Sequence, residues 1–214
     1  YLREFIPFIM LLLALFTVSG GILITGNLNG SPKLNTCILM IGTCLASIMG
    51  TTGASMLLIR PLIRANSWRK NKVHLIVFFI FLVSNIGGSL TPIGDPPLFL
   101  GFLKGVDFTW TLIYMYKPML FVSAIIFFIF YFVDTYFYKM EKKLAPKSGK
   151  FSVKIEGKIN FILILVIIAA VIISGLQSFQ NPIFSYHGTT MMTVGTFIQL
   201  IILLSATILS LKIT

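Results

Sequence analysis

Apolar residues in this chain run in blocks long enough to cross a bilayer, and polar residues interrupt them in two different ways. Some interruptions are ordinary loops. Others fall inside apolar blocks. The first block, "FIPFIMLLLALFTVSGGILIT" (5–25), ends in the turn-rich "GNLNGSPK" (26–33). Further blocks occupy 34–63, 74–104, 111–138, 159–176 and 189–212. Several reach the roughly 20 residues needed to cross about 30 Å of hydrocarbon. The pattern predicts an all-α polytopic membrane protein with about six membrane segments.

Two blocks are internally broken. In 34–63 the centre reads "MGTTGAS", small and polar, a poor interior for a lipid-facing helix. Split there, it leaves arms of about 16 and about 10 residues, rising about 24 and 15 Å, and neither crosses. A re-entrant hairpin with Thr51, Thr52 and Ser55 at its tip is predicted, with one long kinked span as the alternative. In 74–104, a helix over 73–86 rises about 20 Å and another over 96–104 about 13 Å, together one crossing. This span is predicted to break between Gly87 and Asp95. The chain thus divides into 1–33 (span and turn), 34–63 (hairpin), 64–110 (basic loop and broken helix), 111–158 (span and basic loop) and 159–214 (two spans).

Composition agrees: 57% of residues are hydrophobic and 11% charged, against about a quarter charged in soluble domains. The net charge of +11 would suggest nucleic acid in a soluble chain, but its distribution excludes that partner. Lys and Arg gather in "RANSWRKNK" (64–72) and "KMEKKLAPKSGKFSVKIEGK" (139–158). Short loops of this kind mark the cytoplasmic side, so the bilayer is the expected partner, with 64–72 and 139–158 cytoplasmic. Aromatic residues flank span 111–138, with Trp110, Tyr114 and Tyr116 at one end and Tyr131, Tyr136 and Tyr138 at the other, as interfacial belts do. Arg60 is read as snorkelling, Lys117 and Asp134 as anchors, and Gln199 as a helix-packing group. Cys37 and Cys44 are read as small buried residues, and His74 as interfacial. No cofactor is implied. The chain starts at Tyr1 and its last apolar block stops at Thr214, as a fragment of a longer protein would.

The chemistry concentrates in "SNIGGSLTPIGDPPLFLGFLKG" (84–105). Backbone unwound at membrane depth is tolerated only where protein or a water-filled cavity covers it. Gly87, Gly88 and Gly94 permit positive φ and close approach, Pro92 stops the first helix, and Asp95 followed by Pro96 and Pro97 reads as an N-cap. Freed carbonyls with Ser84, Asn85, Thr91 and Asp95 can ligate a hard cation such as Na⁺, while the half-helix N-terminus can face an anion. An ionisable residue within a membrane segment is a functional candidate by default.

The stretch "NIGGSLTPIGDPP" (85–97) resembles the ion transporter superfamily motif N-[IV]-G-G-x-x-[ST]-x-I-G-D. It is similar in particular to NhaD-type sodium/proton antiporters, citrate-transporter-like proteins and the melanocyte P protein. The order span, hairpin, broken span over 5–104 is also similar. The resemblance implies an elevator-type secondary transporter of two inverted repeats, this chain covering mainly the first, forming a homodimer at full length in a bacterial inner membrane. It also implies Na⁺ between hairpin tip and break, here Thr51, Thr52, Ser55, Asn85, Gly87, Thr91 and Asp95, with Thr52, Asn85 and Asp95 as metal ligands. Many relatives carry Ser-Asn-Thr at the tip, where this chain has "GTTGAS".

The resulting expectation is sodium/proton antiport with Asp95 as the shared site. Sodium-coupled uptake of citrate or another carboxylate is the alternative, and arsenite efflux a third. Enzyme chemistry is not expected, because one acid lies at depth where an aspartate protease needs two. A purely structural membrane subunit remains the non-transport alternative.

Overall fold

The computed structural model describes residues 2–141, 152–186 and 189–213; the middle of the basic segment 139–158 lies outside them. Helices dominate. In order they are α1 (Leu2–Gly20), α2 (Pro32–Ala65), α3 (Val73–Leu82), α4 (Pro96–Leu103), α5 (Trp110–Glu141), α6 (Ile159–Gly175) and α7 (Val194–Ile213). A 3-10 turn, Ile86–Leu90, joins α3 towards α4. Among the described residues, four stretches are long and apolar enough to cross a membrane, and α1 and α6 are shorter apolar helices. The protein is an all-α polytopic membrane protein.

One of the four long stretches does not cross as a single rod. Gly50, at φ 81 and ψ 151, breaks α2 into arms 32–49 and 51–65. A side chain rarely adopts that φ, so glycine is what permits the reversal. The arms fold back until Asn35 and Asn66 exchange amide hydrogen bonds, at 2.8 and 3.0 Å. In a straight helix these positions would stand about 45 Å apart. The hairpin predicted from "MGTTGAS" is therefore present, with longer arms than expected.

α1 lies between two groups. On one side it packs against α6 and α7; on the other it meets α2 and α4. The core runs through this contact, with Leu11, Ala14, Leu15 and Val18 of α1 buried with Leu39, Ala46 and Met49 of α2 and Ile167 and Val171 of α6. α5 packs along the hairpin, α3 and the 3-10 turn. Its outer face is apolar and exposed, as at Leu120, Phe121 and Phe128. Without bilayer in the structure, this is the surface lipid would cover.

Several expectations are corrected. The turn assigned to 26–33 begins as a strand: β1 (Leu23–Asn27) pairs antiparallel with β2 (Ser152–Glu156). A second pair, β3 (Pro182–Tyr186) with β4 (Thr189–Thr193), occupies the polar loop and delays α7 to Val194. Such ribbons sit at the ends of the helices, where backbone groups need partners. Cys37 and Cys44 are exposed and free, on the same outer stripe of α2 as Met40, Ile41 and Ile48.

Candidate functional site

The hairpin tip docks into the helix break. The Thr51 N–H donates to the Gly94 carbonyl at 3.0 Å. The first arm and the break also exchange bonds: the Ser47 hydroxyl donates to the Gly87 carbonyl, and the Thr91 hydroxyl to the Ser47 carbonyl. Thr91 Oγ1 accepts from the Gly94 N–H at 3.1 Å. From the second arm, Ser55 lies 2.8 Å from the Ser84 hydroxyl at the end of α3. From α5, the Thr111 hydroxyl donates to the Leu90 carbonyl at 3.0 Å. Most polar groups of the break are thus satisfied by protein, as membrane depth requires.

Close approach explains the glycines. A Cβ on Gly94 would lie 2.1 Å from the Gly88 carbonyl oxygen, and one on Gly88 would meet Gly94 and Thr51. One on Gly87 would strike the Thr43 carbonyl at 2.7 Å. None of the three has positive φ; among the described glycines that conformation occurs at Gly26, Gly50, Gly105 and Gly157. Of the two uses open to these glycines, positive φ is not taken and close approach is: they let chain lie on chain.

Several carbonyls in the break are left over, among them two near Asp95 in sequence. Asp95 occupies the N-cap of α4 at φ −140, ψ 130, with Pro96 and Pro97 opening the helix. Prolines bring no N–H, so the donors of the first turn of α4 begin at Leu98 and Phe99, and both reach only the Asp95 carbonyl, at 3.0 and 3.2 Å. The Pro92 and Ile93 carbonyls accept no hydrogen bond among the described residues. The Ile93 oxygen faces the tip, for a Cβ on Gly50 would stand 3.3 Å from it. The Asp95 side chain makes no capping bond, contrary to expectation, and its half-buried carboxylate has no partner among the described residues. Thr51 is buried and Thr52 exposed, and neither hydroxyl is engaged among those residues. Thr51, Thr52, Pro92 and Ile93 line a cleft of about 340 Å³, walled by α1, by tip residues Met49 to Gly53, and by Pro92, Ile93, Gly94 and Pro96; Asp95 lies outside its lining.

The predicted residues therefore divide. Thr51, Thr52 and Asp95 carry free oxygens at the tip and break. Ser55, Gly87 and Thr91 are occupied in holding the two together. Asn85 is exposed, and its amide donates to the Ile80 carbonyl at 2.9 Å, closing the end of α3. Gly88, Gly94, Pro92, Pro96 and Pro97 shape the backbone.

A second polar cluster escaped sequence reading. At the base of the hairpin, Asp134 is fully buried. Its carboxylate accepts from Arg69 Nη1 at 2.5 Å and Asn35 Nδ2 at 2.8 Å, and His74 Nε2 lies 2.9 Å away. Arg69, only 2% exposed, also donates to Asn66. The His74 ring stacks on Phe137 at 4.8 Å, so it is built into this cluster and not merely interfacial. Asp134 is an anchor, as expected, but for helices and not for the loop alone. A faint signal existed: Asn35 and Asn66 flank Gly50 almost symmetrically, 50 − 35 = 15 and 66 − 50 = 16. Of the other charges, Lys117 is exposed with its Nζ 5.8 Å from the Tyr116 ring centre. Gln199 is buried, and its Nε2 has no acceptor among the described residues, so the expected packing bond from that atom is missing.

A hairpin tip seated in a broken helix, with unpaired oxygens beside a cleft, gives this membrane protein a candidate polar site. The family model described as "Putative citrate transport" matches residues 1–214, and the chain belongs to this family of transporters. No curated protein and no solved structure matches it.

Proposed function

We propose that the protein is a cation-coupled secondary transporter of citrate or a related carboxylate, with Na⁺ held between hairpin tip and helix break. The observation that carries this reading is the pair of unpaired carbonyls, Pro92 and Ile93, next to the unpartnered Asp95 carboxylate. Hard cations take such oxygen ligands, and Thr51 and Thr52 supply hydroxyls from the facing tip. The N-terminus of α4 adds a positive dipole end suited to a carboxylate. The bond network of Ser47, Ser55, Ser84 and Thr91 fixes the tip against the break, so cation oxygens on both sides stay in register.

The test is labelled citrate uptake into proteoliposomes holding the intact protein, driven by an inward Na⁺ gradient. Asp95→Asn is expected to weaken apparent Na⁺ affinity about tenfold or more, since a charged ligand contributes about 1.5–3 kcal/mol. Unchanged Na⁺ dependence in that variant would remove Asp95 from the site.

One observation favours a second reading, sodium/proton antiport. The cleft lining holds no Lys or Arg among the described residues to neutralise citrate, while Asp95 is free to hold either H⁺ or Na⁺. Sodium-induced collapse of a preset pH gradient without citrate, lost in Asp95→Asn, would select antiport. Both readings place the basic segments 64–72 and 139–158 on the cytoplasmic side.

A further inference from the structure

A second pocket lies at the other end of the hairpin, away from the tip. It measures about 320 Å³ and is lined by Ser31, Pro32 and Lys33 from the start of α2 and by Tyr131, Thr135, Tyr138 and Lys139 from α5. Positions 131, 135, 138 and 139 follow the i, i+4, i+7, i+8 rule, so one face of α5 supplies that wall. Both lysines are exposed, and neither forms an ion pair among the described residues. No acid lines the pocket among those residues. The Thr135 hydroxyl oxygen is buried without a partner. In the first turn of α2, Ser31 Oγ accepts from the Leu34 N–H at 3.3 Å, leaving the Lys33 N–H without an acceptor. Every free polar group here is suited to an anion.

The pocket wall is also held in place. Tyr138 meets Trp68 edge to face at 5.9 Å, and the buried Arg69 guanidinium lies 5.8 Å from the Tyr138 ring centre. The Arg69–Asp134 pair therefore braces the side of α5 that faces the pocket.

Depth along α5 points to the kind of anion. From Trp110 to Phe130 α5 rises about 30 Å, the thickness of the hydrocarbon layer, with Lys117 near the far end as its one charge. Tyr131 to Lys139 then stand at headgroup level, on the end bearing the basic loops. We propose that this pocket binds a phosphate-bearing anion, with Lys33 and Lys139 as the charge pair, Thr135 and the tyrosine hydroxyls as polar contacts, and an anionic phospholipid headgroup as the source its depth favours. Free phosphate shares that chemistry. The site is separate from the tip and break, so it stands or falls independently of the transported substrate.

The experiment uses the intact protein in detergent and measures binding of phosphatidylglycerol, phosphatidylcholine and inorganic phosphate by native mass spectrometry and thermal shift. Near a membrane each lysine contributes enough to make Lys33→Gln/Lys139→Gln weaken phosphatidylglycerol binding about thirtyfold. Lys117→Gln/Lys212→Gln, which removes equal charge elsewhere, is expected to bind as the wild type does. Lys33→Arg/Lys139→Arg is expected to retain binding, and Thr135→Val to lose severalfold, which keeps the test open if the glutamine variant misfolds. Inorganic phosphate competing with the same lysine dependence would make the free anion the source. Equal phosphatidylglycerol and phosphate binding in wild type and Lys33→Gln/Lys139→Gln, or loss in the Lys117→Gln/Lys212→Gln control alone, overturns the proposal.

Discussion

At the scale of single residues, the break is governed by what its glycines and prolines lack. Gly88 and Gly94 lack the Cβ that would separate two backbones, and Pro96 and Pro97 lack the N–H groups that would close over carbonyls. Gly94→Ala sets a methyl against a carbonyl that cannot rotate away, and overpacking of this kind costs about 1–3 kcal/mol or more. A lower melting temperature in detergent, or failure to fold, is the expected result. Gly101→Ala is the matched control: within α4 its nearest neighbour would be Val106 Cγ2 at 3.8 Å, and alanine there should be neutral or stabilise by about 0.5–1 kcal/mol. Equal melting temperatures for the two variants would remove close approach as the reason for Gly94. Residue types at the break were legible in the sequence because Gly, Pro and Asp inside an apolar block conflict with a continuous helix. Which glycine serves which purpose was not legible. That depends on Thr43, Thr51 and one another, all brought near by folding.

Among elements, the hairpin is held at both ends, and by different chemistry. Its tip is tied by hydroxyls and backbone; its base is tied by an ion pair. Arg69 precedes α3, Asp134 lies on α5, and Asn35 and Asn66 mark the two ends of α2, so one carboxylate joins three helices. Breaking such a pair by removing one partner costs about 3–5 kcal/mol, because the other charge stays buried. Asp134→Asn should therefore destabilise strongly, whereas His74→Gln, which removes one hydrogen-bonding partner, should cost about 1 kcal/mol. Urea or thermal unfolding in detergent checks the ranking, and similar losses for both would contradict an Arg69-centred pair. In the sequence Arg69 is one residue of a basic loop and Asp134 a lone anchor, since nothing local links positions 65 apart. The strands escaped for the same reason. β1 and β2 are short, and their pairing spans most of the chain.

For the whole molecule, the decisive question is which ends of the elements share a side. A straight helix of 34 residues over Pro32–Ala65 would be about 50 Å long and would carry the chain across. The Gly50 reversal instead returns it, so Asn29 before the hairpin and Ser67 after it belong to one face. The β1–β2 pairing adds the same constraint independently, because it fastens residues 23–27 to residues 152–156 just ahead of α6. Thr109, beyond α3, the break and α4, lies at the opposite end. In a Cys37→Ser/Cys44→Ser background, Asn29→Cys and Ser67→Cys are expected to react with an impermeant maleimide from the same side of oriented vesicles, and Thr109→Cys from the other. Labelling of Asn29→Cys and Ser67→Cys from opposite sides would turn α2 into a crossing helix. Thr51 could not then lie against Gly94, and the tip-and-break arrangement on which cation binding depends would be lost with it.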